Sequence, residues 1–161
     1  MPSVIYREAE RSDIPSIARI REAVWGTGKY WVNRISGYLD GTHNPQQALP
    51  QRIIYVAQQS DSLVGFIAGH LTQRYNCEGE IEWINVISES RGSGAASELF
   101  LHLARWFVEQ KALRVCVNCA PDNIVALHFY TRLGATSLNE HWLVWNDIST
   151  VLSANILKEQ A

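Results

Sequence analysis

The most informative part of this sequence is Val86-Ile87-Ser88-Glu89-Ser90-Arg91-Gly92-Ser93-Gly94-Ala95-Ala96. An apolar, strand-like segment ends at Ile87, a short Ser/Arg/Gly turn follows, and a helical pattern begins near Ala95. A glycine-rich turn at the start of a helix directs several backbone N–H groups to one point, beside the positive end of the helix dipole. That point suits a phosphate or pyrophosphate, and Arg91 adds a full positive charge. We call residues 91–96 the anion cradle.

The spacing of this turn separates two kinds of nucleotide-binding loop. A Walker loop, G-x-x-x-x-G-K-[ST], does not occur in the sequence. The dinucleotide fingerprint G-x-G-x-x-G is half matched, because Ser97 stands in place of the third glycine. The next predicted strand ends Val117-Asn118-Cys119, without the carboxylate that would bind a ribose. These departures disfavour a nicotinamide-dependent oxidoreductase.

A second motif lies downstream, at Asn123-Ile124-Val125-Ala126-Leu127-His128-Phe129-Tyr130-Thr131-Arg132-Leu133-Gly134-Ala135. Together with Arg91-x-x-Gly94-x-Ala96 it resembles the GNAT superfamily of acyl-CoA N-acyltransferases, which have an R-x-x-G-x-[GA] cradle and an N-x-x-A-x-x-x-Y-x-x-x-G-[FA] helix. The resemblance extends weakly from Tyr6 to Ile148. The chain departs from the pattern at Ser88, where proline is common, and at Ala96, where glycine is commoner. Neither change removes a backbone donor.

Composition and charge indicate one soluble domain, which we place at residues 2–150, with a C-terminal tail at 151–161. The chain has 161 residues, of which 47% are hydrophobic, and contains no apolar run of 18 residues that could span a bilayer. A net charge of −2 with mixed signs gives no field that would attract nucleic acid. Three cysteines and the absence of a basic-then-apolar leader at the N-terminus favour the cytoplasm.

Hydrophobic periodicity predicts alternating strands and helices. The predicted strands are 4–9, 53–58, 63–71, 80–87, 113–119, 135–138 and 142–148, and residues 41–50 are a loop. The predicted helices are one that Ser12 caps, with Ile14, Ile17, Ala18 and Val24 on its apolar face, and 31–39, 95–110 and 123–133. The second half requires parallel pairing and the hairpins antiparallel pairing. We expect an α/β (α+β) fold, with helices on both faces of a mixed, twisted sheet, as in the GNAT fold.

The resemblance implies that acetyl-CoA is the acyl donor. Its pyrophosphate would be held by the backbone of the cradle residues Arg91, Gly92, Ser93, Gly94, Ala95 and Ala96. In this family the strand before the cradle splays from the next strand, and the pantetheine arm inserts between them. The splayed segments here would be 84–86 and 117–119. The backbone N–H of Ile84 or Val86 would then face the thioester carbonyl, an oxyanion contact worth roughly 3–4 kcal/mol. Asn123 would contact the pantetheine arm or cap its helix.

Three side chains are candidates for the proton transfers. The resemblance implies that Tyr130 protonates the departing thiolate; the alternative is a core aromatic beside Phe129. An alkylammonium has an unperturbed pKa of about 10.4, so the acceptor must lose a proton before attack. Glu80 and Glu82 stand two residues apart in a strand, so their side chains point the same way. Either carboxylate could accept the proton of the acceptor. Glu80 matches the catalytic glutamate of some family members and Glu82 is the second candidate; the alternative is a solvated strand face.

The acceptor site is less well defined by the sequence. In this family the loop between the first two helices helps to form the acceptor pocket, and here it is the aromatic segment 25–31. Side chains that could line the pocket, or simply fill the core, are Trp25, Tyr30, Trp31, Arg34 and Tyr38. The carboxylates Glu78, Glu80 and Glu82 would favour a cationic acceptor.

Two other chemistries are disfavoured. Cys116 and Cys119 are three apart on a strand and so point to opposite faces, and Cys77 stands alone, which argues against a metal site. No G-x-S-x-G surrounds Ser93, which argues against a serine hydrolase.

We therefore predict an N-acyltransferase that moves an acetyl group from acetyl-CoA to a primary amine by direct attack in a ternary complex. The amine would be a small molecule, an amino acid or a peptide N-terminus. The alternative is a catalytically inactive acyl-CoA-binding or regulatory module of the same fold. We expect no nucleic-acid or membrane partner, and the sequence leaves open whether the chain forms a homodimer.

Overall fold

The computed structural model describes residues 2–153. Its strands are β1 (Val4–Glu8), β2 (Ala48–Gln59), β3 (Ser62–Thr72), β4 (Gly79–Val86), β5 (Val115–Asn118), β6 (Thr136–Asn139) and β7 (Trp142–Trp145). Its α-helices are α1 (Ile14–Glu22), α2 (Gly28–Asp40), α3 (Ala95–Glu109) and α4 (Ile124–Arg132). The strands form one sheet in the order β1-β2-β3-β4-β5-β7-β6, in which only β4 and β5 pair in parallel. The predicted mixed sheet is confirmed.

Helices cover both faces of this sheet. On one face, α3 packs Leu99, Leu103 and Phe107 against the strands, three residues that are almost completely buried. On the other face, α1 and α2 form a separate core around Ile17 and Ile35. The apolar stripes at helical spacing account for both layers. None of the helices in the described part of the chain is long and apolar enough to cross a membrane.

The first helix begins differently from the prediction. Ser12 does not cap it, because residues Arg11–Asp13 form a 3-10 turn that leads into α1. The turn is closed by a reciprocal capping box between Glu10 and Asp13, and Arg7 binds the Asp13 carboxylate at 2.7 Å. Val24, placed by the periodicity on the apolar face, lies beyond the end of α1 and is exposed.

Strand β2 and the packed region at the C-terminal end both extend further than predicted. Strand β2 begins at Ala48, inside the predicted loop, because an irregular register between Ala48 and Arg52 accommodates Pro50. The domain also continues past residue 150, since a 3-10 turn at Ile148–Leu152 buries Val151 in the α3 core. The rest of the predicted tail, 154–161, lies outside the described residues.

Gly79 at the start of β4 shows how closely α3 packs on the sheet. A Cβ added to Gly79 would lie 2.5 Å from Cε1 of Phe107. We expect Gly79→Ala to lower the free energy of unfolding by about 1–3 kcal/mol, the usual cost of overpacking. Urea unfolding of the variant, alone and combined with Phe107→Leu, measures the effect. A single variant as stable as the parent would show that the ring moves aside without cost.

Candidate active site

The parallel pair β4–β5 splits partway along its length. The two strands pair at only three positions, the last being Ile81 with Val117, whereas β4 continues to Val86. The N–H of Ile87 donates to the carbonyl of Val64 at 2.8 Å, on the β3 side. Because N–H directions alternate along a strand, those of Ile84 and Val86 point away from β3, toward the gap. On β5 the splay therefore begins after Val117, one residue later than predicted, and on β4 it begins after Ile81, before the predicted segment 84–86.

A cleft of about 400 Å³ opens beside this gap. Strand β4, the cradle and α4 contribute most of its lining, which comprises Val24, Ile84, Asn85, Val86, Arg91, Ala96, Asn123, Val125, Ala126, Phe129 and Tyr130. A second cavity of about 300 Å³ lies over the cradle and includes Arg132. The two cavities share the lining residues Val86, Arg91, Ala96 and Phe129, so together they form one groove from the cradle to Tyr130.

The cradle presents alternate N–H groups to this groove. Gly92 and Gly94 have φ angles of 82° and 88°, in the left-handed region that favours glycine. Arg91 and Ser93 donate their N–H groups to carbonyls within the turn, and Ala95 donates to Oγ of Ser93. By contrast, the N–H groups of Gly92, Gly94, Ala96 and Ser97 have no hydrogen-bond partner within residues 2–153. Unpaired donors at a helix N-terminus suit an anion.

Tyr130 lies on α4, and its ring packs edge-on against Trp145 with centroids 5.8 Å apart. Burial raises its pKa above the ordinary tyrosine value, with a smaller contribution from Cys119. The hydroxyl makes no hydrogen bond to any residue that the structure describes, so it can donate to a group in the cleft. Asn123, on the same lining, caps α4 by accepting a hydrogen bond from the N–H of Ala126 at 3.2 Å.

Glu80 and Glu82 share one face of β4, as predicted, because their carboxylate oxygens both approach His70. A β-bulge sets their environments apart, since Ile81 pairs with Gly69 and Trp83 with Ala68, which leaves Glu82 as the extra residue. The Glu80 side chain is only 4% exposed, and its Oε1 lies 3.1 Å from Nε of Arg74. Glu80 is therefore held in a buried ion pair.

Glu82 is the more accessible of the two carboxylates. Its side chain is 16% exposed, and its Oε2 lies 3.9 Å from Nη2 of Arg34. Burial raises the pKa of Glu82, and the negative charge of Glu80 adds to this, although His70 and Arg34 act in the opposite direction. A partly open carboxyl with a raised pKa suits a general base better than one locked in an ion pair.

His70 was not among the residues predicted from the sequence. It is fully buried on β3, its Nδ1 lies 2.9 Å from the hydroxyl of Tyr38, and its Nε2 lies 3.6 Å from Oε1 of Glu80. Tyr38 is equally buried, so it supports this polar cluster, in agreement with the core-packing alternative given for it above. Only the packing of α2 against β3, 32 residues away, brings the pair together.

The other predicted acceptor residues divide by exposure. Trp25 and Tyr30 are exposed, and Trp25 follows the cleft residue Val24 in the chain. Trp31, by contrast, is a core residue whose Nε1 donates to the carbonyl of Trp25 at 2.7 Å. Arg34 contacts Glu82 and lies over the ring of Trp83. Glu78 is remote from the acceptor side, because its carboxylate accepts hydrogen bonds from the N–H groups of Leu113 and Arg114.

One cluster has the spacing of a metal site. Potential ligand atoms of His70, Glu80 and Glu82 lie within 4.8 Å of one another. The guanidinium groups of Arg74 and Arg34, however, stand beside the two carboxylates and would repel a cation. The arrangement therefore fits proton transfer better than metal binding.

The cysteines are arranged partly as predicted. Cys116 and Cys119 do lie in separate cores on opposite faces of the sheet. Cys77 is not isolated, since it packs with Cys116 and Trp142, and the neighbouring Cys116 thiol lowers the pKa of Cys77. These two thiols are buried away from the groove.

Comparisons with known proteins agree with this fold. Residues 16–135 match the sequence model of the acetyltransferase (GNAT) family. No curated protein matches the sequence. Ard1 from Thermoplasma volcanium superposes with a TM-score of 0.66 at 22% identity, over 88% of this chain and 94% of that one. The PaiA N-acetyltransferase from Thermoplasma acidophilum in complex with coenzyme A superposes with a TM-score of 0.67 at 12% identity, over 90% of this chain and 99% of that one.

A third solved structure is AAC(6')-Iy in complex with the bisubstrate analogue CoA-S-monomethyl-acetylneamine. It superposes with a TM-score of 0.71 at 14% identity, over 85% of this chain and 93% of that one. At these low identities the superpositions show a shared fold. The family match covers most of the chain, including the cradle and the helix of Tyr130. The chain belongs to the GNAT family of acetyltransferases.

Proposed function

We propose that this protein transfers an acetyl group from acetyl-CoA to a primary amine by direct attack in a ternary complex. The observation that carries the proposal is the groove itself, which runs from unpaired cradle N–H groups past Ile84 and Val86 to Tyr130. A pyrophosphate, an amide-bearing arm and a thioester need these features in that order. Two structural neighbours were solved with CoA or a CoA analogue, which supports the same ligand here.

The proposed reaction assigns each proton transfer and each bond change to a group at this site. Glu82 removes a proton from the ammonium of the acceptor, and the free amine nitrogen attacks the thioester carbonyl carbon. The N–H of Ile84 or Val86 stabilises the oxyanion of the tetrahedral intermediate. The C–S bond then breaks, the thiolate takes a proton from Tyr130, and the acetylated nitrogen loses its second proton, which returns through solvent to the Tyr130 oxygen. The products are the N-acetylated amine and CoA thiol, with one proton released to solvent when Glu82 and Tyr130 return to their resting states.

A direct attack fits better than transfer through an enzyme thiol. Cys119 is the cysteine close enough to Tyr130 to influence its pKa. Burial raises the pKa of the Cys119 thiol, which keeps it protonated at neutral pH. Since the thiolate is the nucleophile in acyl transfer, this cysteine is poorly placed to form an acyl-enzyme.

The release of CoA thiol from acetyl-CoA across a panel of amines tests the proposal. We expect release that depends on the amine, together with mass-spectrometric detection of the acetylated product. Saturable binding of acetyl-CoA without turnover on any amine would instead favour the alternative, a regulatory acyl-CoA-binding module of the same fold.

Replacing the two carboxylates separately distinguishes their roles. We expect Glu82→Gln to lower turnover about 100-fold at neutral pH, because the acceptor loses its base. The loss should shrink at alkaline pH, where more acceptor is already deprotonated. Glu80→Ala should instead destabilise the fold, by about 3 kcal/mol, because Arg74 is left without its buried partner. Steady-state rates and melting curves on both variants decide between Glu82 and Glu80; normal turnover in Glu82→Gln would exclude it as the base.

The raised pKa of Glu82 also predicts how stability depends on pH. Well below pH 4 the carboxyl is protonated in the folded and unfolded chain alike, so Glu82→Gln should change little. Above the ordinary glutamate pKa, about 4.3, the unfolded chain ionises more readily than the folded one. Ionisation of Glu82 therefore lowers the free energy of unfolding. We expect the Gln variant to melt above the parent at pH 7, and the two curves to converge toward pH 4.

A further inference from the structure

Arg21, on α1, stands out among the cations around the acceptor side. Its Nη1 donates to Oδ1 of Asn85, a lining residue of the cleft, at 2.9 Å. Its guanidinium carbon lies 4.4 Å from the ring centre of Trp31. Its Nε is buried without a hydrogen-bond partner, and no carboxylate of residues 2–153 lies within 4.0 Å of the side chain. Burial lowers the pKa of Arg21, although nearby Glu82 partly opposes this.

The neighbouring charges leave Arg21 unmatched. Arg74 is paired with Glu80 at 3.1 Å, and Arg34 faces Glu82 at 3.9 Å. These four charges cancel formally, so Arg21 gives the cluster a net positive charge. An acceptor whose only charge is an ammonium would gain nothing from such a surface. A guanidinium that is partly desolvated and lacks a carboxylate is best stabilised by a negative group on a ligand.

The mouth of the cleft is apolar. Val24 and Val125 line it from opposite sides, and they are 52% and 82% exposed. Trp25 and Tyr30 extend this surface on the α1–α2 side, with their rings 5.5 Å apart and both largely exposed. Exposed aromatic and branched side chains that flank a cleft suit an apolar ligand group.

We propose that the acceptor is an amino acid, or a related amine with a nearby carboxylate, that carries an apolar side chain. The carboxylate binds Arg21, the amine is directed toward Glu82, and the side chain lies against Val24, Trp25 and Tyr30. The inference rests on the proposed function and narrows its amine to a carboxylate-bearing one. The sequence alone favours a cationic acceptor because of three carboxylates. Two of them, Glu80 and Glu82, already have an arginine beside them, and Glu78 lies elsewhere.

The test compares matched acceptors that differ only in the carboxylate. Leucine and phenylalanine are assayed beside leucinamide and phenylalaninamide, with acetyl-CoA saturating. We expect KM to be about 10- to 100-fold lower for the acids, the worth of one charge-assisted contact. Arg21→Gln should raise KM for the acids by that factor and leave KM for the amides unchanged. Arg105→Gln, which removes an exposed charge on α3, serves as the control and should change neither.

Other outcomes separate this inference from the proposed function. Equal KM values for acids and amides, or an Arg21→Gln variant that affects both alike, would overturn the inference while leaving an active acetyltransferase. If no amine is acetylated, the proposed function fails, and binding decides the inference. N-acetylleucine and N-acetylleucinamide are then titrated by calorimetry into CoA-loaded protein. Selective binding of the acid that Arg21→Gln abolishes would support it, and its absence would refute it.

Discussion

Replacing Tyr130 with phenylalanine should lower turnover about 10²–10⁴-fold, the usual worth of a positioned acid. The change keeps the ring, and with it the packing against Trp145 and Phe129. It removes a hydroxyl that has no partner among the described residues, so the fold loses no hydrogen bond. Affinity for acetyl-CoA should hardly change, because the cradle and β4 hold the rest of the cofactor. Steady-state rates, CoA titration and melting curves measure the three effects together.

The effect should depend on the acyl donor. When the thiol of the donor has a low pKa, its thiolate leaves without taking a proton. The loss of turnover in Tyr130→Phe should therefore be smaller with such donors. Tyr55→Phe is a suitable control, because Tyr55 lies on β2 near His102, away from the groove. If Tyr130→Phe and Tyr55→Phe both turn over as fast as the parent, Tyr130 is a packing residue and not the acid.

Burial of Tyr130 also bears on the pH profile. Its pKa lies above the ordinary tyrosine value of about 10, so the hydroxyl stays protonated throughout the neutral range and into the alkaline range. If turnover falls as the pH rises toward 9, deprotonation of Tyr130 should therefore not be the cause. The fall of turnover toward acid pH should reflect protonation of Glu82. An alkaline limb below pH 9 that disappears in Tyr130→Phe would contradict this assignment.

The parts of the fold that local sequence determines were predicted well. The strand, glycine turn and helix of the cradle are continuous in sequence, and β4 and α3 begin and end within one residue of their predicted limits. The helix of Tyr130 was equally clear. In both cases the signal is a short-range periodicity interrupted by turn residues, which needs no knowledge of distant contacts.

The environment of the acceptor side could not be predicted in this way. Glu80 and Glu82 follow the same alternation, and only the bulge opposite Ala68 and Gly69 separates a buried ion pair from a partly open carboxyl. Arg21 meets Asn85 across 64 positions of the chain. Such contacts are set by how α1 and α2 pack on the sheet. Periodicity places each residue on a face but does not identify its partner across the sheet.

Gly94→Glu should abolish measurable binding of acetyl-CoA at ordinary concentrations, with Kd raised about 10²–10³-fold. A Cβ at Gly94 meets nothing within 4 Å, and Gly94 lines the groove, so the new side chain would extend into the space for the pyrophosphate. Two like charges about 4 Å apart repel by about 4 kcal/mol at a protein surface. Arg91→Ala should weaken binding less, because the unpaired backbone donors remain.

The strain of the substitution must be separated from its charge. At a φ of 88° a side chain costs roughly 1–2 kcal/mol, so part of any effect of Gly94→Glu could come from a distorted turn. Gly41 supplies the matched control, because its φ is 79° and its added Cβ also meets open space, but it caps α2 away from the groove. We expect Gly41→Glu to lose similar stability and keep its CoA affinity. Calorimetry that finds both folded variants binding CoA as tightly as the parent would refute the cradle as the pyrophosphate site, because a carboxylate at Gly94 and a bound pyrophosphate cannot share that space without cost.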